Sequence, residues 1–527
     1  MRVALFSMPD LIPHFKAHIW QPPSLACSLI AASLKPAHEA VVADLILQRH
    51  RVRDAVKEVL AEHRPQLAAL SAMSFQFATA KRVAEIIRET DPAVKVALGG
   101  YHATLMGEEM TTQGDGAPFD FIIRGEGDHV LAELATALEK GQPVAGIGGL
   151  SFRADGTFVH NPRRSLEPVG EIPIPERSAR IWTGYHFGRQ PLDVLETSRG
   201  CTMSCNFCSM QHMYGRTFRL FPLERVIRDI ADAKRHGTRW IAFGDDNITL
   251  NIQRFEELCD AIIANGLNDI GYIIQASCPG IGRDPGLAAK MDQANFRIVF
   301  LGIENISPRN LALMQKGNIL EATKRAVQYL HDRNIMIVGG MIIGHPDDGE
   351  EDIAANYQFF DQADIDFFGD QIITPYPKTG MRQELLELGL VTNPNDFRLY
   401  NGYWANVRTR HLTPDELQFL RWKYRNQYST FHKSTKAFRA NHPLVDAYRR
   451  FWLRPYRTLK YALANRGKSE RQLYEEAMDR DMALNDFFGD PGYAQSWRRS
   501  VQQVSLPPLP EAGAAAQTKT DESCVAR

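Results

Sequence analysis

The sequence predicts an α/β protein: a doubly wound parallel sheet first, then a run of six β/α units, then a helical module. Three observations predict it. Short, near-continuous apolar runs alternate with segments of helical apolar spacing, which is the pattern of parallel strands covered on both faces. Glycine-, hydroxyl- and acid-rich clusters follow the apolar runs, where strands of such sheets present ligand-binding loops. Past about residue 405 the strand-like runs stop and a helix start signal appears. The 527 residues suffice for several cores, and 61 Lys plus Arg against 62 Asp plus Glu give a net charge of -1. That balance argues against a nucleic-acid partner, although a local basic patch remains compatible with it.

In the first 144 residues, Val3–Met8, Ala40–Leu45, Leu67–Met73, Val94–Leu98 and Phe119–Ile123 read as strands. Leu25–Leu34, Val52–His63, Ala78–Thr90, a segment after Thr104, and Val130–Leu138 read as helices. Ligands of a doubly wound sheet bind at the carboxyl ends of its strands. Those ends carry Ser71 and Ser74, then Gly99-Gly100-Tyr101-His102, then Arg124-Gly125-Glu126-Gly127-Asp128. Glycine pairs there admit a flat ligand close to the backbone, or simply make a tight strand-to-helix turn. His102 on its own reads as a surface loop residue.

Residues 145–186 read as a linker containing a hairpin near Leu150–His160. The seven cysteines include one group, Cys201, Cys205 and Cys208, spaced Cys-x-x-x-Cys-x-x-Cys after a strand at Asp193–Glu196. Three soft thiolates on one loop suit three irons of a four-iron cluster. With His212 they also suit a Cys₃His zinc site. The other four, Cys27, Cys259, Cys278 and Cys524, are scattered. That usage points to a reducing, cytoplasmic compartment rather than a disulfide framework. The N-terminus breaks at Pro9, too early for a signal peptide, and no apolar run spans a bilayer.

Downstream, strands are expected at Trp240–Phe243, Tyr272–Gln275, Ile298–Leu301, Met336–Ile343 and Asp370–Ile373. Helices are expected at Leu223–Arg235, Ile252–Ala264, Pro285–Ala294, Leu320–Asp332, Glu351–Ala363 and Met381–Leu388. The strand ends read Phe243-Gly244-Asp245-Asp246-Asn247, Leu301-Gly302-Ile303-Glu304-Asn305, Gly340-Met341-Ile342-Ile343-Gly344-His345-Pro346 and Thr374-Pro375-Tyr376-Pro377-Lys378-Thr379-Gly380. Each alone is weak, since Asp-Asp-Asn at a strand end is commonly a helix cap.

In that order behind the cysteine motif, with Phe207 before the third cysteine, they resemble the radical S-adenosylmethionine (SAM) superfamily, in the subgroup with an N-terminal cobalamin-binding domain. The resemblance covers about residues 1–400. It implies a flavodoxin-like cobalamin domain at 1–144 and a partial (β/α)6 barrel at 187–405. The implied cofactors are a [4Fe-4S] cluster, S-adenosylmethionine and cobalamin. Cys201, Cys205 and Cys208 would hold iron. Asp245 or Asp246 would face the SAM ammonium group and Glu304 the ribose or amino end. Phe207 would lie on the adenine side, with the backbone of Gly340, Ile342 and Gly344 under the adenosine. Ser71, Ser74, Gly99, Gly100, His102, Glu126 and Gly127 would line cobalamin. The Asp-x-His-x-x-Gly signature is absent, because Asp10 and His14 have the wrong spacing, so this loop should give cobalt no histidine. Relatives often carry glycine where this chain has Lys378.

The activity so implied is methylation of an unactivated carbon of a small molecule. The runner-up is an anaerobic oxidative cyclase or rearrangement enzyme, and the third reading a non-catalytic cobalamin and iron–sulfur sensor. A flavodoxin or ferredoxin would serve as reductant. The helical module at 406–504 opens with the capping box Thr413-Pro414-Asp415-Glu416. Residues 433–471 hold eleven basic residues against Asp446 and Glu470, interleaved with aromatics. Such a stretch suits an anionic membrane surface, a phosphate-bearing substrate or a helical cap packed on the barrel. Residues 505–527 read as a disordered tail.

Overall fold

The computed structural model describes residues 1–10, 20–35, 37–428 and 465–489. His14, most of the basic-aromatic stretch, the 505–527 tail and Cys524 lie outside them. The first unit comprises β1 (Arg2–Ser7), β2 (Trp20–Gln21), α1 (Leu25–Leu34), β3 (Glu39–Asp44), α2 (Val52–His63), β4 (Leu67–Ser71), α3 (Phe77–Thr90), β5 (Lys95–Gly99), α4 (Tyr101–Thr112), β6 (Phe121–Ile123) and α5 (Asp128–Glu139). A hairpin follows, β7 (Leu150–Ala154) and β8 (Thr157–His160).

The sheet order is β3-β1-β4-β5-β6-β7-β8, parallel through β6 and antiparallel beyond. Alternate residues of β1 and β4 enter opposite cores, Phe6 and Leu70 on one face, Leu5 and Ala69 on the other. Helices cover both faces, as the continuous apolar runs require. The strand order reverses about β1, which puts the crevice at the carboxyl ends of β1 and β4. The hairpin corrects one expectation: it does not stand in a linker but extends this sheet, Ile122 pairing with Ser151. Short β2 leaves the unit altogether and pairs with the second sheet.

The second sheet uses β9 (His186–Phe187) and β10 (Gln190–Leu195). The chain then makes a ribbon of β11 (Ser198–Arg199) and β12 (Arg219–Leu220) around α6 (Met210–Tyr214). Next come α7 (Leu223–Arg235), β13 (Trp240–Phe243), α8 (Ile252–Ala264), β14 (Gly271–Ser277), α9 (Cys278–Ile281), α10 (Pro285–Gln293), β15 (Phe296–Glu304), α11 (Pro308–Leu313), α12 (Leu320–His331), β16 (Met336–Ile343), α13 (Glu350–Gln362), β17 (Phe367–Ile372) and α14 (Gly380–Glu387). The order is β17-β16-β15-β14-β13-β10-β9-β2, with six parallel strands from β10 to β17. β17 and β2 are the two edges and do not pair, so the barrel is partial. Trp20, Phe187 and Trp240 pack edge-on at 5.6 and 5.3 Å and fill the inner face toward the amino ends of the strands. The carboxyl ends stay available for chemistry.

Helix α15 (Pro414–Tyr428) begins at the expected capping box: Thr413 N donates to Glu416 Oε2 at 2.8 Å and Glu416 N to Thr413 Oγ1 at 3.3 Å. Helix α16 (Glu470–Ala483) packs Tyr474, Met478 and Met482 against Trp404 and Leu399. Arg49 of the first unit donates to Leu484 O at 2.9 Å, so this module touches both sheets. Among the described residues no helix is long and apolar enough to cross a membrane.

Candidate functional site

The cysteine loop is fixed at both ends. Gly200 has φ +90°, and a Cβ there would strike the Thr217 carbonyl, so glycine is required where the loop start meets its end. In the middle, Asn206 N donates to Met314 O at 3.0 Å, and Met381 N to Asn206 O at 3.1 Å. The loop is thereby tied to the fourth and sixth β/α units. Cys201, Cys205 and Cys208 are half-buried free thiols. Burial raises all three, Cys208 to about 11, while the Lys316 ammonium pulls Cys201 and Cys205 back down. Thiols beside a buried cation, on a loop pinned at both ends, suit a cluster whose ligands must be thiolates. Among the described residues no three His, Cys, Asp or Glu side chains stand ready-arranged as a metal cage.

Lys316 was not legible as a site residue. It stands in the short loop between α11 and α12 and donates to Glu304 Oε1 at 2.9 Å. Glu304 itself has φ +65° at the end of β15. Gly302 makes room for this pair, and Gly340 for the Phe300 ring beside it. A Cβ at Gly302 would lie 2.8 Å from Glu304 Oε1 and 3.1 Å from Lys316 Nζ, and one at Gly340 would lie 2.9 Å from the Phe300 ring. Gly340 therefore serves packing against Phe300 first.

The two aspartates after β13 separate. Asp245 is fully buried and accepts from Thr197 N at 2.9 Å, Thr197 Oγ1 at 2.6 Å and Ser198 Oγ at 2.5 Å. It staples the turn between β10 and β11 and has no freedom to face a ligand. Asp246 is half-buried, near Tyr101, Cys201 and Cys208, and burial together with the Asp245 charge raises it to about 6. Phe207 is half-buried against the barrel core. Ile342 is buried, its carbonyl accepting from Asn305 Nδ2 at 2.9 Å. Gly344, with φ +85°, lies where a Cβ would meet Leu417 of α15 at 2.7 Å, so its first duty is seating that helix.

At the first sheet's edge, Ser71 and Gly99 end adjacent strands and pair in register. Met73, between Ser71 and Ser74, leaves 42% of its surface exposed, an apolar face beside two hydroxyls. Gly125, with φ +94°, has open space where a Cβ would stand. An exposed thioether and an unfilled glycine fit a broad, partly apolar group at this edge. Gly100, with φ +93°, is needed for the turn, since a Cβ would stand 2.7 Å from Ala72 O. Ser74 is buried, and Gly127 packs toward Ile30.

His102 departs from its expected surface position. It is 1% exposed, stacked on Phe77 at 4.1 Å and edge-on to Phe397 at 5.3 Å. Burial lowers it to about 4, and its Nδ1 has no hydrogen-bond partner among the described residues. Glu126 turns toward the barrel instead of lying free on the edge: Arg199 Nη1 donates to it at 2.9 Å and Arg219 Nη2 at 2.7 Å. Arg199 also donates to Asp128 at 2.8 Å. A cleft of about 330 Å³ opens beside this junction, between Arg124–Gly125, the Arg163–Glu167 segment and α6. His212 lines it from α6.

A doubly wound domain whose ligand edge faces a three-cysteine loop at the mouth of a partial (β/α)6 barrel defines a cobalamin-binding radical SAM architecture. The comparisons agree. Residues 21–135 match the B12 binding domain model and residues 195–360 the Radical SAM superfamily model. The chain belongs to the family of radical SAM enzymes that carry an N-terminal cobalamin-binding domain. It is 29% identical to an uncharacterized methyltransferase of Pyrococcus horikoshii over 79% of this chain and 88% of that one. It is 28% identical to the anaerobic magnesium-protoporphyrin IX monomethyl ester cyclase of Rubrivivax gelatinosus, over 66% of this chain and 63% of that one. The structure of TsrM, a radical SAM methyltransferase from Kitasatospora setae solved with cobalamin and a [4Fe-4S] cluster, superposes with a TM-score of 0.63 at 21% identity, covering 74% of this chain and 79% of that one. The cofactors of this family are a [4Fe-4S] cluster, S-adenosylmethionine and cobalamin.

Proposed function

We propose that the protein methylates an unactivated carbon of a small biosynthetic intermediate, using cobalamin and radical SAM chemistry together. The observation that carries the reading is the direct junction of the two cofactor-bearing edges, where Tyr101 reaches Met210 beyond the last cysteine and Glu126 and Asp128 hold Arg199 before the first. The methyltransferase relative spans most of both chains, which supports transfer of a methyl group. When bound, the cluster and S-adenosylmethionine supply a deoxyadenosyl radical, and cobalamin supplies the methyl group.

The chain's own residues bind, orient and seal. Cys201, Cys205 and Cys208 hold iron. Asp246, which the fold engages only through the Gly200 backbone, takes the SAM ammonium group. Glu304, ion-paired with Lys316, takes the ribose or amino end, and Phe207 the adenine side, with the backbone through Gly340, Ile342 and Gly344 beneath. Ser71, Gly99 and Gly100 lie along the cobalamin side, with Met73 presenting an apolar face and the buried Ser74 and His102 supporting that edge from within. Glu126 and Gly127 shape its border while Glu126 ties the two units together.

Domain limits in this reading are 1–160, hairpin included, for cobalamin, about 187–405 for the barrel and 406–504 for the helical module. The protein works in the reducing cytoplasm with a flavodoxin or ferredoxin as electron donor. The 433–471 stretch is its candidate contact with an anionic surface. The cyclase relative keeps a radical oxidative cyclisation as second reading.

Anaerobic reconstitution with iron, sulfide, cobalamin, reductant, methyl-labelled S-adenosylmethionine and a cell extract tests this. Deoxyadenosine and S-adenosylhomocysteine, with label in one extract component, is the expected result. Deoxyadenosine with an altered but unlabelled product would establish the cyclase reading instead.

A further inference from the structure

The hydroxyl of Tyr101 meets only a weak acceptor in the fold. Tyr101 is the first residue of α4, directly after Gly99-Gly100, and its phenol donates to Met210 Sδ at 3.0 Å, two residues past Cys208. A thioether is a weak acceptor, whereas buried tyrosine hydroxyls ordinarily find a strong one. The hydroxyl is spare for packing too, because a phenylalanine ring would contact methionine equally well. Helix α4 is anchored without it. Thr104 Oγ1 donates to Gly100 O at 2.9 Å and accepts from Gly125 N at 2.9 Å, and Lys378 pairs with Glu109 further along. The charged and titratable groups that bear on the phenol are Tyr214, Asp246 and Cys208, drawn from α6, the β13 loop and the cysteine loop. A second phenol near Cys208, Tyr376, is already engaged with Thr374.

We infer that Tyr101 is a specificity-determining residue: its hydroxyl exchanges the Met210 contact for an oxygen or nitrogen acceptor on a substrate held between the first sheet's edge and the cysteine loop. The substrate is then a small molecule with a hydrogen-bond acceptor close to the carbon that loses hydrogen. This rests on the radical SAM and cobalamin reading of the site.

The test uses full-length wild type, Y101F and Y101A, each reconstituted with cluster and cobalamin. Iron content and the cobalamin absorption spectrum are measured first. Deoxyadenosine formation at saturating S-adenosylmethionine is then followed against serial dilutions of the small-molecule fraction of an anaerobic cell extract. Y101F should load iron and cobalamin normally yet require about tenfold more extract for half-maximal stimulation, a lost hydrogen bond to a polar acceptor. Y101A should require at least as much. A Y101F curve overlying wild type overturns the inference, as does loss of iron or cobalamin from Y101F, which would make the hydroxyl structural. Wild type whose deoxyadenosine does not respond to extract also counts against it. Stimulation without methyl label would overturn methylation alone, and a Y101F shift would still uphold Tyr101.

Discussion

Arg199 donates to Asp128 at 2.8 Å across the boundary between the two units, and the same guanidinium holds Glu196 beside its own strand at 2.9 Å. With Glu126 and Arg219 this makes a buried network of two cations and three carboxylates, two residues upstream of Cys201. Its members lie 7–15% exposed except Arg219 at 16%. Buried pairs contribute little against an apolar isostere, but removing one partner strands charge without solvent. Arg199→Ala should therefore cost about 3–5 kcal/mol in urea unfolding. It should also lower iron retention, since the loop base and the cobalamin edge separate together. A loss below about 1 kcal/mol would show that the network is solvated and does not join the units.

Asp245 and Asp246 should part in the laboratory as they do in the fold. Asp245→Ala leaves the Thr197 amide and two hydroxyls without their acceptor, a cost on the order of 3 kcal/mol. Asp246→Ala loses only the bond from the Gly200 backbone and should cost about 1 kcal/mol, clearly less than Asp245→Ala. Its S-adenosylmethionine affinity, by equilibrium dialysis on the reconstituted protein, should fall at least about tenfold for a lost charged contact. The opposite assignment of the two effects would overturn this division of labour.

Much of this was readable in the sequence because the strands are apolar on both faces and bounded by glycine. The strand Trp240–Phe243 and the helices Val52–His63 and Leu223–Arg235 have the expected limits for that reason. Contacts distant in sequence were not readable. His102 looked like a loop residue because Phe397, which covers it, lies far along the chain. Lys316 is one lysine among many until the chain returns it to Glu304. Asp245 and Asp246 are chemically identical neighbours, and the positions of Thr197 and Ser198 alone tell them apart. The hairpin's polar alternation is that of a sheet edge, which sequence cannot distinguish from a free-standing hairpin.

Asp10, at the end of β1, makes stability depend on pH. Burial raises its carboxyl to about 7, against an opposing hydrogen bond from Thr79 Oγ1 at 2.9 Å and the charge of Arg49. The folded protein therefore prefers the protonated acid. Between the unfolded value near 4 and about 7 the native state binds more protons, so stability falls as pH rises through that window. Asp10→Asn keeps an acceptor for Thr79 and places an amide at Oδ2, which has no partner among the described residues. The variant should equal wild type near pH 4 and be more stable at pH 8, by an amount on the order of 3 kcal/mol. Thermal unfolding at both pH values measures it, and a constant difference between the two proteins would dismiss Asp10 as the titrating group.

Lys378 sits at φ +65°, a conformation in which glycine is favoured. An L-residue there costs roughly 1–2 kcal/mol. Lys378 recovers part of that through its ion pair with Glu109 of α4, which joins the loop after β17 to the first unit. Both side chains are a third or more exposed, so the pair contributes at most about 1 kcal/mol and weakens with salt. Three variants then fall in a fixed order. Lys378→Gly removes the strain and the pair together and should match or exceed wild type, its advantage growing from low to high salt. Lys378→Ala keeps the strained backbone and loses the pair, and should be the least stable, by about 1 kcal/mol below wild type at low salt. Urea unfolding at two ionic strengths resolves the order. Alanine as stable as glycine would show that the backbone relaxes at this position and that the pair alone sets its stability.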